Sequence, residues 1–376
     1  MTFKVLFLSL ALVACSEAPA QGPAPASPQP RPVSGVIRTE VVAEGLNRPW
    51  ALAFLPDGRI LVTERPGRMR IVTNGELSAP LRGVPAVAAE GQGGLLDVAV
   101  DPQFAQNNTI YFSFAEPGPG GTAGTSVARA RLTDGALEDV RVIYRQRPKL
   151  SGAGHFGSRI VFGRDGTMFV TQGDRMGYRD LAQELDRGQG KIMRINTDGS
   201  VPRDNPFAGR NDALPEIWSY GHRNVQAAAL HPETGQLWTV EHGARGGDEL
   251  NHPEAGRNYG WPVITYGVDY SGARIGSGQA HEGMEQPVYY WDPVIAPSGM
   301  TFYTGSAFPS WRGNILVGGL ASQTLVRLVL ENGRVAQEER YDIGQRVRDV
   351  QQGPDGFIYL VTDMTNGQLL RVRPAQ

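Results

Sequence analysis

From residue 36 onward the chain alternates apolar and polar positions in short runs, and each run is closed by a pair such as Asp-Gly, Thr-Gly or Gly-Asn. This period of two, with turn residues at the breaks, predicts β-hairpins. The phrase ALAFLPDGRILVTE (51–64) returns in altered form as LDVAVDPQFAQNNTIYFSF (96–114), RIVFGRDGTMFVTQGD (159–174) and AALHPETGQLWTVEHG (228–243). It returns again as MTFYTGSAFPSWRGNILVGG (300–319) and RDVQQGPDGFIYLVTD (348–363). Behind most copies stands a second hairpin, MRIVTNGEL, ARARLTDGAL, IMRINTDGSV or VRLVLENGRV. Four strands per unit and six units predict an all-β fold, a six-bladed β-propeller of four-stranded antiparallel blades. An irregular β-sandwich would not account for six similar copies. The early segment VIRTEVVAEGL is left over, and pairing it beside the final QLLRVRP completes one blade from both termini.

The fourth copy breaks the pattern. After TVEHG the expected third strand is replaced by ARGGDELNHPEAGRNYGWPVITYGVDYSG, a long irregular segment of the kind that carries function on a repetitive scaffold. Glycine-rich approaches, EGQGG and SGAGHFGS, precede the second and third inner strands, and in a propeller they fall on one rim of the central channel.

The ends lie outside this pattern. Residues 1–15, MTFKVLFLSLALVAC, have one lysine, an apolar run and small residues, as in a secretory signal, and the run is too short for a membrane span. Its end resembles the lipobox of bacterial lipoproteins. That resemblance implies acylation of Cys15, the only cysteine, and an anchor on the periplasmic face of the outer membrane; the alternative is a cleaved signal and a soluble periplasmic protein. Residues 16–34 are rich in Pro and Ala and read as a disordered tether, leaving 35–376 as the propeller domain. With 36 basic and 38 acidic residues, dispersed, the chain has no electrostatic footprint for nucleic acid, and membrane contact is expected only through the lipid.

Candidate chemistry sits at the strand ends. His155 stands before the inner strand of the third blade and Asp174 after its hairpin partner, so the fold brings both to one edge. A carboxylate on one ring nitrogen fixes the tautomer and raises the basicity of the other, as a general base near neutral pH requires. A loop histidine bonded to a backbone carbonyl is the alternative. SYGHRN places Arg223 and Asn224 before the fourth inner strand, and GQRVRD places Arg346 and Arg348 before the sixth, two apart and so facing one way. In a nearly neutral chain these arginines suggest an anionic ligand with several carboxylates or phosphates; ion pairing with local acids such as Asp349 is the other reading. GGDELN and NYGWP supply Asp248, Glu249 and Tyr259, oxygen ligands that suit calcium better than magnesium or zinc. GPGGTAG opens no helix, and neither a P-loop nor a G-x-S-x-G elbow occurs.

Taken together, NRPWALAFLPDGRILVTER, EGQGGLLDVAVDP, SYGHRN, GGDELN with NYGWP, APSGMTFYTG and RVRDVQQGPDG closely resemble the soluble quinoprotein aldose sugar dehydrogenases of the glucose/sorbosone dehydrogenase family, over about residues 36–374. The resemblance implies pyrroloquinoline quinone (PQQ), a tricarboxylate ortho-quinone, and calcium as cofactors, with an aldose as substrate and a periplasmic electron acceptor. It further implies that His155 takes the proton of the anomeric hydroxyl while hydride passes to the quinone, that Asp174 orients it, and that Arg223 stabilises charge on the reduced quinone. Gln92, Arg223 and Asn224 would contact the cofactor, Arg346 and Arg348 would hold its carboxylates, and Tyr270 would line the site. Glu249 and the carbonyl of Tyr259 match a calcium position. Where relatives carry a lysine near the cofactor this chain has Ala321, with Gln323 as a neutral donor nearby. A calcium-dependent propeller lactonase and a non-catalytic binding module are the alternative functions.

Overall fold

The computed structural model describes residues 21–375. Cys15 and the signal segment lie outside them. Six sheets form the blades, and in five the four strands are antiparallel neighbours. The innermost strands are Pro49–Phe54, Leu95–Val100, Gly157–Phe162, Val225–Leu230, Pro297–Phe302 and Val347–Gln352. The six hairpin copies therefore supply the inner half of every blade. The ring closes as the leftover segment requires: Ile37–Leu46 pairs antiparallel with Gly367–Pro374, from Ile37 opposite Pro374 to Leu46 opposite Gly367.

Each pair of neighbouring blades has its own apolar core, because the second strands are buried on both faces, as in Ile60–Glu64 and Ile358–Thr362. Trp50, Leu61 and Phe112 pack the first interface, and Leu46, Val62 and Val361 pack the closing one. The interface between blades three and four is thinnest, with Phe169, Ile192, Ala228 and Leu237 as its buried members. Polar residues fill the axis. Arg159, on the inner strand of blade three, bridges Asp97 of blade two (2.7 Å) and, across the channel, Asp349 of blade six (3.2 Å), and lies over the Trp50 ring, 4.5 Å from its centre. Burial raises the Asp97 carboxyl to about 6 against the pull of Arg159. This layer divides the channel and makes a floor for the cavity above it.

Three segments depart from the expected layout. In the third blade, the turn of IMRINTDGSV forms, with Asn196 N donating to Ser200 O (2.8 Å), but the fourth strand arrives only as Ile217–Tyr220. The intervening loop is held by Arg194, which binds Asp204 and Asn205, while the Asn205 amide donates to the carbonyls of Arg194 and Pro215. In the fourth blade, GGDELN is not irregular. Asp248–Asn251 is the third strand, Tyr289–Trp291 the fourth, and the insertion runs between them over 252–288.

Residues 21–34, expected as a free tether, lie along the domain. Arg31–Val33 adds a parallel fifth strand to blade five, against Glu339–Tyr341. Upstream, Gln21 Nε2 donates to Glu285 (2.8 Å), Ala24 N to the Tyr266 hydroxyl (2.5 Å), and Ser27 Oγ to Tyr290 O. A proline-rich segment is already extended and stiff, so it loses little entropy on docking. Among the described residues no helix is long and apolar enough to cross a membrane.

Candidate active site

The channel opens into a cavity of about 360 Å³. Trp50, Leu96, Phe156 and Leu320 give it apolar walls, and Arg346, Arg348 and Gln92 reach it as polar groups. Arg348 Nη2 binds Asp363 (2.8 Å) and its Nη1 donates to Gln226 (3.0 Å); Arg346 lies 3.6 Å from the same carboxylate and donates to Leu320 O (3.2 Å). Burial works to raise the Asp363 carboxyl, but Arg348 above all, with Arg65 and Arg346, holds it at about 2. His242 also lines the cavity; burial and the nearby Arg348 and Arg223 drive its ring down to about 3, so it is neutral. Its Nε2 is 2.8 Å from Pro297 O.

His155 lies on the edge of this cavity, beside the lining residues Phe156 and Gly157. It has a left-handed backbone, φ 50°, and passes directly over Gly173, where a Cβ would meet the His155 carbonyl oxygen at 2.2 Å. Glycine at 173 is thus what lets the approach segment lie on the hairpin's second strand. The result is a contact of 2.6 Å between His155 Nδ1 and Asp174 Oδ1. Both side chains are buried. Asp174 is itself oriented by Trp261 Nε1, which donates to Oδ2 (2.8 Å), and by Met176 N, which donates to Oδ1 (2.7 Å). Gln92 Oε1 accepts from His155 N (2.8 Å). Burial lowers the His155 ring below 6.5, more strongly than Asp174 raises it, with Arg223 and Arg175 adding to the lowering. A neutral imidazole with Nδ1–H committed to Asp174 leaves Nε2 as a base.

Arg223 completes this side. Its guanidinium donates to the carbonyls of His242 and Gly243 and to the Tyr270 hydroxyl (3.3 Å), and lies 5.1 Å from the centre of the Trp261 ring. Its Nε is buried without a partner, as is Asn224 Nδ2. Asn224 Oδ1 accepts from Gly157 N (3.1 Å) and Gln226 Nε2 (3.1 Å), tying the fourth blade's approach to the third's. Tyr270 is 61% exposed, on the rim rather than in the cavity wall.

Glu249 and Tyr259 belong to a separate cluster behind Arg223. Glu249 lies opposite Glu241 on the paired strands, and Asn251 Nδ2 donates to both carboxylates (3.1 and 3.0 Å). Burial and then the charge of Glu241 raise the Glu249 carboxyl. Glu241 also accepts from Arg223 N (2.6 Å) and contacts His222 Nδ1 (2.9 Å), whose ring stacks on Tyr259. Asp248 is occupied otherwise, accepting from the backbone N–H groups of Gly243, Ile295 and Ala296. Among the described residues no group of three or more His, Cys, Asp or Glu side chains is arranged to hold a metal.

The family model for glucose/sorbosone dehydrogenase matches residues 46–371, most of the chain and all six blades. The chain belongs to this dehydrogenase family. It is 46% identical over 346 residues to aldose sugar dehydrogenase YliI of Escherichia coli strain K12, covering 90% of this chain and 93% of that protein. The apo crystal structure of the soluble aldose sugar dehydrogenase from Escherichia coli superposes with a TM-score of 0.87 at 46% identity, covering 90% and 99% of the two chains. The PQQ-bound aldose sugar dehydrogenase of Streptomyces coelicolor superposes with a TM-score of 0.74 at 28% identity, covering 93% and 100%. Several cavity residues of this family member were not singled out in the sequence: Arg48, Arg65, His242, Asp363 and, against Asp174, Trp261. A signal for three of them exists. Arg65, His242 and Asp363 each follow the second strand of their blade directly, the place Asp174 occupies one residue later in the third blade.

Proposed function

We propose that this chain is a PQQ-dependent aldose dehydrogenase that oxidises the anomeric hydroxyl to a lactone, with His155 as general base. The observation that carries the reading is the buried His155–Asp174 pair on the edge of an arginine-lined cavity. The fit to PQQ rests on chemistry: flat apolar walls from Trp50 and Phe156, cations in excess, and buried donors on Arg223, Arg348 and Asn224 that lack partners. Arg346 and Arg348 would hold carboxylates, and Gln92, Arg223, Asn224 and Tyr270 would border the ring system. When bound, the quinone supplies the acceptor for the anomeric hydride.

The protein's own part is proton transfer and charge. His155 Nε2 accepts the hydroxyl proton as the C–H electron pair leaves carbon, so C=O forms and the proton rests on the imidazole. Asp174 keeps the ring in the required tautomer and stabilises the imidazolium. Arg223, fixed by two carbonyls and the Trp261 face, presents positive charge where negative charge grows. Two carboxylates in one buried site suit a hard cation, and Glu249 with the Tyr259 carbonyl would hold calcium there, away from the reacting atoms. The propeller passes electrons to a periplasmic acceptor, and Cys15 carries the lipid that anchors it.

Apoprotein assayed for dye reduction with several aldoses, with PQQ and calcium added together and each omitted, tests this. Turnover that requires PQQ supports it; no turnover with any aldose in the presence of both defeats it.

A further inference from the structure

The cavity holds more positive charge than its two assigned arginines provide. Arg348 and Arg346 both lean on Asp363, so that trio carries one net positive charge. Two further guanidinium groups line the same space, Arg48 and Arg65. Against a single carboxylate the four arginines leave an excess of three positive charges, and His242, driven neutral, adds none.

Arg48 and Arg65 are placed there by the seam where the ring closes. Arg48 N donates to Met364 O of blade six (2.8 Å), Arg65 N donates to Arg48 O (3.1 Å), and Leu95 N of blade two donates to Arg65 O (3.1 Å). The two residues are thus clamped side by side between three blades. Arg48 is held at φ 49°, a left-handed conformation that costs a non-glycine residue energy and collects at ligand sites. Arg65 Nη1 donates to Gly91 O (2.8 Å), beside Gln92, while its Nε is buried with no partner. Burial and the neighbouring arginines disfavour its charge, and Asp363 favours it. Four guanidinium groups in one small cavity repel one another, so a polyanion entering it gains from each.

We infer that Arg48 and Arg65 form a second cationic arm of the cofactor cavity, beside Arg346 and Arg348 at the closing seam, and bind a carboxylate of PQQ other than the one those two take. This rests on the PQQ reading above.

The test is an equilibrium titration of calcium-loaded apoprotein with PQQ, followed by absorbance, for wild type, Arg65→Gln, Arg65→Lys, Arg48→Gln and Arg346→Ala. Loss of one charge-assisted contact weakens binding roughly 10- to 100-fold. Arg65→Gln and Arg48→Gln are expected in that range, with Arg65→Lys recovering part of the affinity and KM for aldose at saturating PQQ unchanged. Arg65→Lys, which keeps the charge, guards against misfolding of the glutamine variant. If both glutamine variants bind PQQ as wild type does while Arg346→Ala binds weakly, the arm does not exist. A raised KM for the sugar with unchanged PQQ affinity also overturns it, assigning these arginines to the substrate. If wild type itself binds no PQQ, the proposed function fails and this inference falls with it.

Discussion

Replacing Asp174 by asparagine asks the site a question with a constrained answer. Asp174 accepts three hydrogen bonds, from His155 Nδ1 and Met176 N on one oxygen and from Trp261 Nε1 on the other. An asparagine amide offers one acceptor and one donor end. With its oxygen toward His155 and Met176, its NH₂ faces the Trp261 N–H, donor against donor. Flipped, it satisfies Trp261 but confronts Met176 N–H and forces His155 into the tautomer that has no free base at Nε2. The first orientation loses fewer bonds, so the tautomer survives while the charge is gone. A hydrogen bond to a charged group is worth about 1.5 to 3 kcal/mol. If that is the stabilisation lost from the imidazolium formed in the transition state, turnover falls roughly 10- to 150-fold. Because Asp174 raises the His155 pKa, its removal moves the acidic limb of the rate profile to still lower pH. The unmatched Trp261 donor lowers melting by a few degrees. The assay is steady-state dye reduction by PQQ-saturated enzyme from pH 4 to 8, alongside His155→Gln, which should lose about two to four orders of magnitude. Turnover of Asp174→Asn within twofold of wild type, or an unmoved acidic limb, refutes the orienting role.

Other outcomes follow from the same geometry. His155 has a lowered pKa in the folded state, so its neutral form costs no stability above pH 6.5; as pH falls below that value the unfolded chain takes up a proton first, and wild-type melting should decline more steeply than that of His155→Gln in parallel scans. Glu249→Gln should melt at or above wild type in chelator, because it relieves the repulsion with Glu241, yet gain less from added calcium; equal calcium-dependent gains in the two proteins would remove Glu249 from a metal site. Cys15→Ser should release the protein from membranes, and an unacylated, soluble wild type by mass spectrometry would defeat the anchor.

Much of the fold is legible because a blade's inner hairpin is a local object: two runs of period two and a turn lie within some twenty residues, so their pairing needs no long-range information. Closure is legible for a related reason, since Ile37–Leu46 has strand pattern and no neighbour in sequence. The fourth strand of blade three is hidden because its position is decided by Arg194 and Asn205 holding a loop, not by periodicity. Asp248–Asn251 is hidden because four residues, three of them polar, carry no alternation. The site divides in the same way. One hairpin joins His155 to Asp174, whereas Trp261 reaches Asp174 from 87 residues away through the insertion. Arg48 and Arg65 converge through the seam between blades six, one and two, which exists only once the ring has closed.

The docked stretch from Gln21 to Val33 changes how such a protein would ride on a bilayer. Were the chain free as far as Val33, an anchor at Cys15 would allow the propeller to roam a hemisphere of radius about 60 Å. With Gln21 itself in contact with the domain, an anchor at Cys15 is six chain steps away, a length that spans at most about 20 Å. That is no more than the expected radius of gyration of a domain of this length, roughly 20 Å. The propeller would therefore be berthed against the lipid on the flank of blades four and five, with little freedom to turn. Its cavity would keep one bearing to the membrane, and an electron acceptor confined to that surface would meet it by a search in two dimensions.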